Sequence, residues 1–158
     1  MEKINKKSGI GLPGLFDSIH RNHSIYLKHA LKNEDISFGQ FPYLMYLYHE
    51  KVNNNDNSTQ IEIANAYGVT EGTVARALVK MEENNIIERE ENKENRREKI
   101  IKLTEKGNNL AKKFRDIDYK WEEEILKFLD NNKKEDFRKT IEEIEYYSRK
   151  YNNKIKNQ

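Results

Sequence analysis

Residues 59–83 set two capped helical segments only two residues apart, and this spacing constrains the fold more tightly than anything else in the chain. Thr59 and Glu62 form a capping-box pattern, in which a hydroxyl and a carboxylate satisfy unpaired amides at a helix start. The segment ends at Gly68, the residue best suited to a left-handed stop. Val69 is expected to plug the core, and Thr70 caps the next helix, with Val74, Ala77, Leu78 and Met81 on its inner face. In the first helix Ile61, Ala64 and Tyr67 are expected inward. Two helices joined by a short glycine turn form a helix-turn-helix, whose second helix enters the DNA major groove by its N-terminal half.

Two short strands follow directly, 86–90 and 99–103, around a charged loop. The order predicts a mostly α fold with a small β-hairpin wing. Long helical stripes flank it. Leu12, Leu15, Phe16, Ile19, Tyr26, Leu27, Ala30 and Leu31 repeat at helical steps, with Pro13 in the first turn. Ser37 and Gln40 suggest a capped second helix starting at Ser37, with Phe41, Leu44, Met45 and Tyr48 inward and a loop over 52–57. Thr104 caps a helix bearing Leu110, Phe114, Ile117, Trp121, Ile125 and Phe128. Asn132 and Glu135 suggest the cap of a last helix with Phe137, Ile141, Ile144, Tyr147 and Tyr151. Residues 1–11 are polar and basic and are expected to be mobile.

The chain has 158 residues, the size of one domain, but only 35% are hydrophobic and 35% are charged. So thin a core supply suits an elongated helical protein or a dimer. The net charge of +2, from 29 basic and 27 acidic residues, does not by itself predict a nucleic-acid partner, so any such argument rests on placement. The absence of cysteine excludes disulfides, thiol redox sensing and cysteine-ligated zinc. No stretch approaches the roughly 18 apolar residues of a membrane span, and no secretion signal is visible. A cytoplasmic protein with no membrane partner is expected, and the sequons at Asn22 and Asn57 read as chance matches.

On the second helix of the pair, Gly72, Ala75, Arg76 and Val79 lie opposite the buried side, flanked by Thr73 and Lys80. Small Gly72 and Ala75 permit close approach to DNA. Thr70 and Thr73 can bond phosphates or base edges, and Arg76 can grip a phosphate or a guanine edge. Ser58, Thr59 and Gln60 join them as candidate contacts. Glu71 favours the helix dipole but would repel phosphate. The hairpin tip carries Lys93, Arg96 and Arg97 within five residues, placed to reach the minor groove. Lys99 and Lys102 could follow the backbone, while Glu94 and Glu98 dilute the charge. The plain alternative for such a tip is a solvated loop.

Gln60-Ile-Glu-Ile-Ala64, Gly68-Val-Thr-Glu-Gly-Thr-Val-Ala-Arg-Ala-Leu78, Met81-Glu-Glu-Asn-Asn-Ile-Ile-Glu-Arg89 and Leu103-Thr104-Glu-Lys-Gly107 together resemble the MarR family of regulators, as does Ser37-Phe-Gly-Gln-Phe-Pro42. The resemblance spans about Leu12 to Tyr151. It implies one MarR-like domain over 1–158, with dimerisation helices at 12–33 and 104–153 and a winged DNA-binding lobe at 37–103. It implies a homodimer on double-stranded DNA, with Arg96 in the minor groove and Arg97 supporting the wing. The family's wing pattern, Asp-x-Arg, reads Asn95-x-Arg97 here, which puts the usual ion pair in doubt; Asn95 can still accept a hydrogen bond.

Many relatives answer small aromatic effectors. Tyr43 and Tyr46 are the candidates here for lining such a pocket, although ordinary packing is the favoured role for these aromatics. His20 and His23 lie at i and i+3, too few ligands for a metal site, and no metal or cofactor is expected. A winged-helix protein-interaction module and an architectural DNA binder without effector are the competing readings. No nucleophile–base arrangement or phosphate-cradling glycine loop suggests an enzyme.

Overall fold

The computed structural model describes residues 10–93 and 95–156. The expectations for most of residues 1–11 and for Glu94 therefore lie outside the described residues. The elements run α1 Leu12–Ala30, α2 Phe41–Val52, α3 Gln60–Tyr67, α4 Glu71–Glu83, β1 Ile87–Glu91, β2 Lys99–Leu103, α5 Glu105–Leu126 and α6 Asn131–Lys156. Two compact units divide within α5, one ending at Ile117 and the other starting at Asp118.

The first unit holds the core. Leu44, Ile63, Val74, Leu78, Met81, Ile86 and Phe114 are fully buried, and Phe41 meets Phe114 edge to face at 5.4 Å. The strands pair antiparallel, Ile87 opposite Leu103 and Arg89 opposite Ile101. A bridge from Thr59 to Ile100 adds the loop before α3 to the sheet, and the Ile101 amide donates to the Ser58 carbonyl at 2.8 Å. The wing therefore grows from the base of α3, which fixes its place beside the two short helices.

Caps set most boundaries as the sequence predicts. Thr59 accepts the Glu62 amide while the Glu62 carboxylate accepts the Thr59 amide, completing the box. Thr70 caps α4 and Thr104 caps α5. Gly68 sits at φ 62°, the left-handed stop of α3.

Several expectations are corrected. Residues 37–40 form a turn, and α2 starts at Phe41. Gln40 reaches back to the Ser37 amide as a capping box would, but Pro42 in the first helical turn marks the true start. The inward residues of α3 are Ala64, as expected, and Ile63, with Ile61 and Tyr67 exposed, because eight residues give only two turns to face the core. Val69 is exposed; its amide closes the helix stop onto the Ala64 carbonyl at 3.1 Å, so its backbone rather than its side chain does the joining. The strand starts at Ile87, since Ile86 belongs to the tight turn whose Asn85 has φ 56°. The cap of α6 is Asp130, whose carboxylate accepts the Lys133 amide at 3.0 Å. The side-chain bond from Lys133 holds the Asp130 carboxyl below the usual carboxylate range, with the Lys133 amide adding to it.

Among the described residues no helix is long and apolar enough to cross a membrane, and no group of three potential metal ligands comes together.

Candidate nucleic-acid interface

The exposed side of α4 starts at its cap. Thr70 Oγ1 accepts the Thr73 amide at 3.3 Å and lies 3.0 Å from the Thr73 hydroxyl. Arg76 approaches that hydroxyl at a long 3.5 Å. Thr70, Gly72, Thr73, Arg76 and Lys80 are all exposed. A β-carbon at Gly72 would meet only the Arg76 guanidinium, at 3.9 Å, so the surface over this turn is open. The first turns of α4 thus present hydroxyls, one guanidinium and little bulk, the surface needed for backbone and base-edge contact. Lys80 is partly spoken for: its ammonium bonds Glu83 at 2.8 Å, which raises the lysine's pKa.

The hairpin tip offers the second cationic group. Lys93, Arg96 and Arg97 are exposed, and the Arg96 side chain is 88% exposed, with Glu91 3.7 Å away. So solvated a pair is weak and leaves the guanidinium available. Asn95 does accept a hydrogen bond, from the Arg97 backbone amide at 3.2 Å, and donates its own amide to Glu98 at 2.8 Å. The asparagine thus braces the turn of the tip through the main chain.

Between the starts of α3 and α4 and the wing lies a cleft of about 220 Å³, walled by Gln60, Glu71, Arg89, Arg97, Glu98 and Lys99. Glu71, the awkward carboxylate of the sequence, lines this cleft together with Glu98 and three cationic side chains, Arg89, Arg97 and Lys99. Arg89 is a residue of this cleft that the sequence reading did not single out. It is mostly buried, and its Nε lies 3.0 Å from the Glu82 carboxylate of α4 without a well-directed hydrogen bond. Its inward orientation depends on the wing folding beside α4, which no local pattern reveals.

Other predicted contacts are placed differently. The Ser58 side chain is buried and Thr59 is nearly so, its hydroxyl engaged by Glu62, so neither faces outward as a surface contact. The sheet bridge and the helix cap claim that loop first. Gln60 remains half-buried on the cleft wall. Lys102 bonds Glu90 across the strands at 2.6 Å, which raises its pKa and removes its charge from the free cationic set.

Tyr43 is buried and Tyr46 half-buried, each edge-on to Tyr67 at 5.5 and 6.2 Å. The Tyr67 hydroxyl donates to the Pro42 carbonyl at 2.7 Å. Burial pushes the Tyr46 phenol above its ordinary pKa, and Glu50 and Glu62 add to the shift. A wider cleft of about 640 Å³ lies between the end of α2, the wing base and the start of α5, with Tyr48, Lys51, Thr104, Asn108 and Lys112 on its walls. Neither cleft is lined by Tyr43 or Tyr46.

Residues 36–99 match the MarR family. The chain is similar to the HTH-type transcriptional regulator BilQ of Clostridium symbiosum, 27% identical over 111 residues, 70% of this chain and 74% of the relative. BilQ of Clostridioides difficile is 25% identical over 119 residues, 75% and 77% of the two chains. The fold is similar to a crystal structure of MarR, with a TM-score of 0.82 at 26% identity, covering 93% of this chain and 97% of that one. It is also similar to a S. aureus MepR–DNA complex, with a TM-score of 0.70 at 26% identity, covering 87% and 98%.

Proposed function

We propose that this chain, whose residues 36–99 match the MarR family and whose fold is similar to MarR regulators, is a DNA-binding transcriptional regulator of that kind, working in the cytoplasm as a homodimer that reads a pseudo-palindromic operator. The first turns of α4 enter the major groove, with Thr70, Thr73 and Arg76 as contacts, and Arg96 on the wing enters the adjacent minor groove. The observation that carries this reading is the open, hydroxyl- and arginine-bearing face of α4 beside an exposed arginine-tipped hairpin.

The dimer is supported by apolar side chains left exposed at both ends of the chain. On α1 these are Leu12, Leu15, Phe16 and Ile19; on α6 they are Phe137, Tyr147, Tyr151 and Ile155. Exposed apolar faces of this extent mark association surfaces. Together the two terminal helical regions and the winged lobe form one MarR-like unit in this reading, with half-sites about 34–36 Å apart on the DNA. A small aromatic effector that lowers DNA affinity completes the proposal. Insertion beside Tyr43 and Tyr46 would have to displace Tyr67 from Pro42, so calorimetry with phenolic ligands on the wild type and on Tyr67→Phe tests that part.

The central experiment is a titration against the duplex upstream of the chain's own gene, with a scrambled duplex as control. Arg76→Ala should weaken binding about tenfold or more if it grips a base edge, and relax the margin over the control. Arg96→Ala should weaken binding with little change in the protein's melting. Unchanged affinity in both variants would favour a protein-interaction module instead.

A further inference from the structure

Val74 seats the first half of α4 in the core, but the polar side chains exposed there bond only within the first turns of the helix, whereas the second half, besides the Glu82–Arg89 pair to β1, is hydrogen-bonded to a distant segment. That segment is the linker between α1 and α2. Gln40, buried, accepts the Ser37 amide through Oε1 at 2.7 Å, and its Nε2 donates to the Ala77 carbonyl, midway along α4, at 3.4 Å. At the end of α4, the Asn84 side chain donates to the Asp35 carbonyl at 2.6 Å. The Asp35 carboxylate accepts Lys106 Nζ at 2.6 Å, and the same ammonium donates to the Asn84 carbonyl at 2.9 Å. Asp35, Asn84 and Lys106 therefore close a ring around the last turn of α4. One residue away and two turns along α5, Lys113 pairs with Glu34.

We propose that the α1–α2 linker positions the recognition helix, with Asp35 and Lys106 as positioning residues that clamp the Asn84 end of α4 and Gln40 as the second hold at Ala77. The proposal rests on α4 being the helix that reads DNA. The lever argument gives its size. Thirteen residues of helix span about 20 Å, so a tilt of about 10° pivoting at the clamp moves the far end by about 3 Å. That displacement exceeds the tolerance of a hydrogen bond to a base edge. At the far end of α4 the side chains of Thr70, Thr73 and Arg76 bond one another within the first turns. The clamp also joins α4 to the segment that leaves α1, so whatever shifts α1 acts on the reading angle.

None of these residues needs to touch DNA, and that separates the proposal from a phosphate contact. Lys106→Met keeps the aliphatic stem and removes all three donors. Asp35→Asn keeps the main-chain carbonyl and removes the carboxylate. Each is partly exposed, so melting should barely move. In the free protein, amide exchange over residues 80–86 should quicken about tenfold in Lys106→Met. Affinity for the upstream duplex should fall about fivefold, with the salt slope unchanged, because no counterion-releasing contact is lost. The double variant should bind no worse than the weaker single one, since both remove the same clamp. Unchanged exchange and unchanged affinity would overturn the proposal, as would a slope shallower by about 0.9, which would make Lys106 a phosphate contact. If the wild type itself binds neither the upstream nor the scrambled duplex, the DNA reading falls, and the exchange measurement still decides whether the clamp holds α4.

Discussion

The winged lobe and α6 are written in the same helical period, yet they solve burial in opposite ways. In the lobe, Leu44, Ile63, Val74, Leu78 and Met81 are sealed from solvent. Among the described side chains of α6, 131–155, none is buried, although Phe137, Ile141, Ile144, Tyr147 and Tyr151 fall on one stripe. Besides an ion pair from Arg138 to Glu122 of α5, the described polar support of α6 is local, through pairs such as Lys139 with Glu135 and Arg149 with Glu145. Each such pair contributes about 0.3–0.5 kcal/mol, against about 2–5 kcal/mol for one well-buried leucine. The lobe can therefore hold itself together, whereas the apolar side of α6 requires a covering surface. A hydrophobic period reports that a face will be covered, but not by what.

The sharpest way to break this contrast is to truncate one residue from each region. Leu78→Ala should cost about 2–5 kcal/mol in chemical denaturation, because a fully enclosed side chain leaves a cavity. Tyr147→Ala in α6 should cost the lobe under about 0.5 kcal/mol. Equal losses would mean that the two regions are not energetically distinct. Association comes next. Phe137→Glu combined with Tyr151→Glu should shift sedimentation from dimer to monomer at micromolar concentration, since each aromatic buried at an interface contributes about 1.5–3 kcal/mol. An unaltered sedimentation profile would place the dimer contact elsewhere.

Smaller effects sharpen the lobe's side of the comparison. Thr59→Ala removes the box that starts α3 and should lower stability by about 1 kcal/mol, read by thermal melting. The last prediction concerns pH. Burial raises the Tyr67 phenol above its ordinary value near 10, with Tyr43 and Tyr46 adding to the shift. A group whose folded pKa is raised contributes stability that is present below the unfolded value and is lost as pH rises through the folded value. Stability should therefore decline above about pH 10, and Tyr67→Phe should make that decline shallower. An identical alkaline slope in the variant would remove Tyr67 from the account.

Much of the lobe was legible because its punctuation is local. The Thr59–Glu62 box, the Gly68 stop and the Thr70 and Thr104 caps each depend on groups within a few residues. Errors arose where short elements left the period ambiguous, as in choosing Ile61 over Ile63, or where tertiary pairing outranked a local pattern. Ser58 looked like a surface hydroxyl until the Ile101 amide claimed its carbonyl and drew the loop into the sheet. The exposed side of α4 followed from a helical wheel, but the Arg89 and Glu82 contact did not.

By itself the sequence determined the order of helices and strands, the caps that bound them and the side chains that α4 and the wing turn outward. Those features follow from bonds and periods spanning at most a few residues. Only the tertiary structure decided that Asp35 would meet Asn84 and Lys106, 49 and 71 positions away, and that Glu71 would share a cleft with the wing's cations. Such contacts depend on how packed elements bring distant residues within about 3 Å, and no repeat or spacing along the chain encodes that distance.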